Sequence, residues 1–205
     1  MSEFTATNED FNDPSLQGGG EIIFNNEVPV AIKSENDEEE DNATILVRIK
    51  IIVVNGGDDV PQHVRLEMLC DSDLFFLYEA EYAQEDFEIL KKTEGLTIKF
   101  EEFPQLLVEI IEQYITEPDS YSLLFEQQSE EQSTLRFQQQ LKFKLIDILA
   151  LDLKPASEEF VKDSIQYRYN AAKAEIKAAH TELNDLYALL KIKNPTVLKK
   201  MTTRK

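Results

Sequence analysis

The sequence predicts an α+β chain, in which a head of short strands interrupted by a helical insert precedes one long C-terminal helix. Three observations predict it. The stretch Asp73 to Pro104, DLFFLYEAEYAQEDFEILKKTEGLTIKFEEFP, changes hydrophobic period twice. Thr44 to Val54, TILVRIKIIVV, alternates as a strand does, with Val47, Ile49, Ile51 and Val53 on one face. From Ala156 to Ile192 the apolar residues recur at steps of three and four.

Residues 1–20 are polar, acidic and end in Gly18-Gly19-Gly20, and read as a disordered leader. Glu21 to Lys33 reads as two short strand segments around Asn25-Asn26, with Pro29 marking an edge. Ser34 to Asn42 is an acidic loop. After the strand Thr44 to Val54, Asn55-Gly56-Gly57-Asp58-Asp59 is turn chemistry, because Gly accepts positive φ and Asn and Asp bond back to their own backbone. The next strand, about Gln62 to Cys70, carries Val64, Leu66 and Met68 on one face.

The central block then reads as strand (Leu74 to Tyr82), helix (Gln84 to Lys92), strand (Leu96 to Phe100) and helix (Pro104 to Ile115). Glu85 and Asp86 in the first turn and Lys91 and Lys92 in the last suit the helix dipole. Gly95 suits a left-handed stop, and Pro104 suits a helix start, where a missing N–H costs nothing. The second helix is expected to bury Leu107, Ile110, Ile111 and Tyr114. Tyr121 to Gln127 and Gln140 to Leu149 read as two further strands. The polar linker between them, QSEEQSTLRFQQQ, holds Leu135 and Phe137 as its only large apolar residues. Such a pair either anchors the loop to its own core or inserts into another molecule. If loop and receiving pocket lie on opposite sides, the contact is heterologous and builds rings or open filaments.

Ser157 or Ala156 caps the final helix. Ile165, Tyr169, Ala172, Ile176, Ala179, Leu183, Leu186 and Leu190 step by 4,3,4,3,4,3,4, a coiled-coil seam of four heptads. Two of the eight are Ala, so the seam is thin and predicts weak dimerisation; the alternative is that the helix packs back on its own domain. Pro195 ends the helix, and residues 193–205 form a basic tail.

Composition limits function. The 205 residues, 42% hydrophobic with 12 Phe and 7 Tyr, suffice for one domain of ordinary size plus appendages. A net charge of -19 argues against nucleic acid or anionic lipid as partner. Cys70 is alone and forms no internal disulfide, which suits a reducing, cytoplasmic compartment. No apolar run approaches a membrane span. His63 and His180 sit in no nucleophilic arrangement, and one Cys with two distant His excludes a standard zinc site. Asp71 and Asp73 begin like a calcium loop, but Phe76 stands where Gly is required. No enzyme, cofactor, metal or small-molecule substrate is expected.

The central block resembles the PISA motif of the centriolar cartwheel family, spindle assembly abnormal protein six. The resemblance rests on Phe75, Phe76, Leu77 and Tyr78, on Asp86, Phe87 and Leu90, on Gly95 and Leu96, and on the closing Phe103-Pro104. Val28 to Lys33 and Leu141 to Leu149 extend it, so it covers about residues 21–190, with the PISA-like block at about 64–116. The resemblance implies a small antiparallel β-barrel or sandwich head (21–154) with a helix–turn–helix insert, then a parallel coiled coil (156–192). It implies no catalysis but self-association: chains paired by the coil, and heads joined by a large apolar loop residue inserted in a neighbour's pocket. Repetition would close a ninefold hub. Counting back from LKFKL puts the inserted residue at Leu135, with Phe137 on the same face. Other centriole or basal-body proteins are the further partners it implies. The seam stops after about four heptads: as a whole chain it resembles the short paralogue of axonemes, basal bodies or the apical complex, and as a fragment it resembles the cartwheel head itself; the basic end LKKMTTRK tilts the expectation toward a complete short chain.

Overall fold

A computed structural model of the chain describes residues 12–33, 43–57, 60–129 and 131–193. The acidic loop 34–42, the turn residues Asp58 and Asp59, the first part of the leader and the tail beyond Lys193 lie outside the described residues. Ser15–Val161 makes one compact unit, and the chain from Lys162 onward belongs to another.

Seven strands close a barrel in the order β1-β2-β3-β4-β7-β6-β5. They are β1 (Glu21–Lys33), β2 (Ala43–Asn55), β3 (Pro61–Leu69), β4 (Leu77–Ala83), β5 (Tyr121–Gln127), β6 (Ser133–Leu141) and β7 (Lys144–Pro155). All neighbours are antiparallel except β1 and β5, which close the barrel in parallel through Ala31↔Leu124 to Lys33↔Glu126. The expected two segments of β1 are one strand with a register shift between Ile22 and Phe24, a bulge in place of a break.

The alternation of β2 puts Val47, Ile49, Ile51 and Val53 in the core, as their spacing predicts. Ile52 and Lys50, on the outer face, are buried as well. Part of the presumed leader covers them. Pro14–Leu16 forms a 3-10 turn, and a Cβ on Gly20 would meet Ile52 Cγ2 at 2.6 Å, so only glycine permits this approach. Ser15 Oγ donates to Glu67 Oε2 at 2.6 Å and accepts from Lys50 Nζ at 2.9 Å, while Arg65 donates to the Ser15 carbonyl. The expectation of disorder through residue 20 is therefore corrected for residues 12–20. This polar segment supplies hydrogen bonds to two buried charged side chains, Lys50 and Glu67, the latter also paired with Arg65 at 3.0 Å.

Two helices follow β4. In α1 (Gln84–Glu94), the Asp86 carboxylate accepts from Ala83 N at 3.1 Å, and Gly95 at φ 68 stops the helix. In α2 (Phe103–Thr116), Pro104 occupies the first turn, and Phe103, Leu107, Ile110 and Ile111 are buried. Tyr114 is half-buried and its hydroxyl donates to the Pro29 carbonyl.

Leu96 to Phe100 is not the expected strand. It is irregular and enters a 3-10 turn, Phe100–Glu102, in which Lys99 N donates to Glu102 Oε2 at 2.9 Å. A closed barrel offers no free edge for an eighth strand. Leu74 to Phe76 likewise precede β4 as a turn, tied by Phe75 N to Asp73 Oδ1 at 3.0 Å.

The largest correction concerns 128–141. Most of the presumed linker is β6, paired with β5 and β7 along its length. Leu135 and Phe137 face inward and are 0% and 2% exposed. They are core residues, not protrusions, because in an extended strand every second side chain points into the barrel. The strand expected at Gln140 to Leu149 is two strands, turned over Lys142 and Phe143.

After β7 the chain continues in α3 (Glu158–Lys193), whose first turn is capped by Ser157: Phe160 N donates to Ser157 Oγ at 3.3 Å.

Candidate functional site

Three surface features combine exposure with large apolar groups. The first is the β6–β7 tip. Leu141 pairs with Lys144, leaving Lys142 and Phe143 as the turn. Phe143 is 90% exposed, the most exposed large hydrophobic among the described residues. Lys142 Nζ lies 5.2 Å from its ring centroid, and Lys144 follows it, so the protrusion is an aromatic ring within positive charge.

The second is an open groove of about 700 Å3 beside α1. It exists because β4 and β7 pair only at Tyr78↔Pro155 and Glu79↔Lys154 before diverging. Helix α1 fills part of the gap, and Glu94 Oε2 accepts from the Ala150 amide at 3.1 Å, standing in for a missing strand neighbour. Ala80, Tyr82, Ile89, Leu90 and Ala150 supply apolar wall, and Ile89 is two-thirds exposed. Glu79, Glu81, Asp86, Glu94 and Asp152 line the groove against the cations Arg136 and Lys154, so it is net acidic.

The groove floor is built from residues on the outer face of the barrel. Gln128 Nε2 donates to Thr134 Oγ1 at 3.1 Å, and Thr134 Oγ1 donates to Asp152 Oδ1 at 3.2 Å. Arg136 donates to Glu126 at 2.6 Å and to Asp147 at 3.0 Å, and these bonds hold its guanidinium even more firmly protonated than usual. Burial raises the Tyr82 phenol well above its ordinary range, reinforced by Asp152, Asp86 and Glu94. Glu79 is also pushed up, chiefly by burial, with Glu67 and Glu81 adding to the shift and Arg65 opposing it. Both shifts favour the uncharged forms of Tyr82 and Glu79. Among the described residues no group of three or more His, Cys, Asp or Glu is placed to hold a metal.

The third is the stripe on α3. Tyr169, Ile176, Leu183 and Leu186 are 62%, 60%, 47% and 52% exposed, Ala172 and Ala179 are exposed between them, and Ile165 and Leu190 are half-buried. No helix of the described residues is long and apolar enough to cross a membrane.

The residues of the PISA-like block divide between core and turns. Phe87 packs on Phe100 and Phe103 with ring centroids 5.5 and 5.0 Å apart, joining α1 to α2. Phe76 packs edge-on against Tyr78 and Phe125, and Leu77 is buried. Leu90 and Leu96 are half-buried, Pro104 is buried, and Asp86 and Gly95 cap α1. Phe75 is the exception: it is 80% exposed at its turn. Sequence reasoning missed Phe143 and the groove. The signal for Phe143 was present in Lys-Phe-Lys, a large apolar residue between two cations. The groove had none, since its lining comes from four separate elements.

Comparison with known proteins agrees with this head. Residues 22–153, spanning β1 to β7, match the family described as Centriolar protein SAS N-terminal domain. The chain belongs to that family. Spindle assembly abnormal protein 6 homolog of Danio rerio is 31% identical over 166 residues, 76% of this chain and 26% of that protein. The Mus musculus homolog is 25% identical over 190 residues, 88% of this chain and 29% of that protein. The chain thus spans less than a third of the length of these relatives. An N-terminal fragment of Leishmania SAS-6 containing part of its coiled coil superposes with TM-score 0.70 at 21% identity, over 83% of this chain and 98% of that one. The N-terminal coiled-coil dimer of C. elegans SAS-6 superposes with TM-score 0.62 at 13% identity, over 82% of this chain and 98% of that one. These two likenesses show that the fold is shared.

Proposed function

We propose that this chain is a non-catalytic structural protein of centrioles or basal bodies that assembles with copies of itself through two contacts. In the first, α3 pairs with α3 of a second copy in a parallel coil along Ile165 to Leu190. In the second, Phe143 of one head enters the acidic groove of a neighbouring head. Phe143 takes the role that the resemblance assigned to Leu135 and Phe137, which the core cannot release.

One observation carries the head contact: the tip and the groove are complementary and cannot meet within one head. Both lie on the β6–β7 ladder. Leu141 stands five residues from Arg136, roughly 17 Å at the rise of an extended strand. A rigid ladder keeps Phe143 from its own groove. The contact between copies is then heterologous, and successive heads close a ring or extend as a filament, depending on the angle. Lys142 and Lys144 facing five groove carboxylates speed encounter and fix register.

Sedimentation of the full chain over a concentration series tests this reading. The native chain is expected to form dimers and then larger species. Phe143→Glu is expected to stop at the dimer, and Leu183→Glu with Leu186→Glu to leave only head-linked species. If all three chains sediment alike, the two-contact assembly is wrong. Tagging the chain in cells and imaging it against a centriole marker tests the location.

A further inference from the structure

The spacing of the α3 stripe fixes which residues flank it. Tyr169, Ile176, Leu183 and Leu190 take one seam position and Ile165, Ala172, Ala179 and Leu186 the other. Arg168, Glu175, Glu182 and Leu189 then lie on one flank, and Gln166, Lys173, His180 and Tyr187 on the opposite flank. In a parallel, in-register pair each residue of the first flank faces the residue five further on in the second copy. Arg168 then faces Lys173, Glu175 faces His180, and Glu182 faces Tyr187.

This layout has an electrostatic consequence. The Arg168–Lys173 juxtaposition is repulsive at every physiological pH, and Glu182–Tyr187 is not an ion pair. The juxtaposition Glu175–His180, made twice by symmetry, is the one that can become attractive, and only when the imidazole carries a proton. Imidazole is the side chain that ordinarily changes charge between pH 5 and 8. Glu175 and His180 are both exposed in the single chain, so their side chains are available to a second copy. One turn from His180 on its own helix stand Lys177 and Asn184, with Ile176 and Leu183 toward the seam. Glu175 of the second copy is thus the carboxylate that faces it.

We propose that His180 and Glu175 make pairing of α3 pH-dependent, so that the coil tightens on acidification through the imidazole range. The thin seam makes this consequential. With Ala172 and Ala179 at two of eight seam positions, apolar burial is small, and two flanking ion pairs are a sizeable share of the association energy. The inference rests on the parallel pairing proposed above.

The test uses the full chain carrying Phe143→Glu, so that only helix pairing is read. Sedimentation equilibrium at pH 7.5 and pH 5.5 is expected to show a Kd roughly three- to tenfold lower at the acid pH. His180→Gln and Glu175→Gln are each expected to flatten that change to within about twofold. His180→Lys is expected to pair tightly at both pH values. His63→Gln controls for the other histidine, which lies 3.5 Å from Glu81 in the head, and is expected to keep the native slope. Loss of chain charge on acidification affects all variants alike, so the native slope retained in His180→Gln overturns the proposal, as does a native Kd that does not move. A chain that stays monomeric at both pH values overturns the parallel pairing itself, a result distinct from a pH-independent dimer.

Discussion

Truncating two apolar residues a few positions apart on one hairpin is expected to give opposite phenotypes. Leu135 is 0% exposed and lies between Phe125 on β5 and Leu151 on β7. Leu135→Ala removes buried methyl groups and leaves a cavity, a change that costs about 2–5 kcal/mol. For a domain of this size each kcal/mol lowers Tm by roughly 2–4 °C, so a fall of roughly 4–20 °C is expected. Phe143 is 90% exposed. Phe143→Ala removes nothing from the core, and its effect on Tm of the isolated head should stay within about 1–2 °C.

The ranking reverses for association. A phenylalanine buries about 150–250 Å2, which at about 25 cal/mol per Å2 gives roughly 4–6 kcal/mol as an upper bound. Ordering of side chains and incomplete burial reduce this to about 2–4 kcal/mol, or a 30- to 1000-fold rise in Kd. Circular-dichroism melts and sedimentation on the same two preparations read both quantities. Head association lost in Leu135→Ala with Tm unchanged would refute the placement of β6. Association retained in Phe143→Ala would refute the tip as anchor.

Two further outcomes follow from the helical insert and the groove rim. Gly95 holds φ 68 with open space where a Cβ would stand, so Gly95→Ala should cost about 1 kcal/mol through backbone strain alone, and Gly95→Asn less. A Gly95→Ala variant melting at or above the native temperature would contradict the left-handed stop. Burial raises the affinity of Glu79 for its proton. A carboxyl whose folded pKa lies above its unfolded value stabilises the fold while protonated, and that contribution is lost as pH rises through the folded pKa. Glu79→Gln should therefore raise Tm at pH 7, with the gain shrinking toward pH 4; an equal gain at both values would show that ionisation plays no part.

What was legible in the sequence and what was not divides on physical lines. β2 was legible because one face is all Val and Ile, and α1 because its charges and Gly95 mark both ends. The long helix Glu158–Lys193 was legible because its apolar residues recur at steps of three and four without interruption. β6 was misread for a specific reason. Its outward residues Thr134, Arg136 and Gln138 bond to Asp152, Glu126 and Asp147 on neighbouring strands, so a polar composition that resembles a loop is the outer face of a barrel. The inward pair Leu135 and Phe137 carried the correct period of two, but it was outweighed by the surrounding Gln. The β6–β7 turn lacks Gly, Asn or Pro, so nothing interrupted the run LKFKL. The leader segment 12–20 was hidden differently: its partners Lys50, Arg65 and Glu67 are distant in sequence, and only the barrel brings them under Ser15.

The strengths of the two proposed contacts bear on how assembly would proceed. The helix seam is half-diluted at its centre by Ala172 and Ala179, and the head contact centres on one ring, Phe143. Neither is expected to hold a pair of chains firmly at low concentration. Joined in one object the two contacts multiply, because a dimer presents two heads, and each head engaged raises the effective concentration of the next. In a closed ring the final contact is made within one particle and carries no further loss of translational freedom. Partial arcs would then be sparse and closed particles favoured once nucleated. Weak individual contacts would serve such closure: an anchor strong enough to hold any two heads on collision would trap open arcs of the wrong curvature, whereas an exchangeable one would let misjoined heads separate until closure stabilised the set.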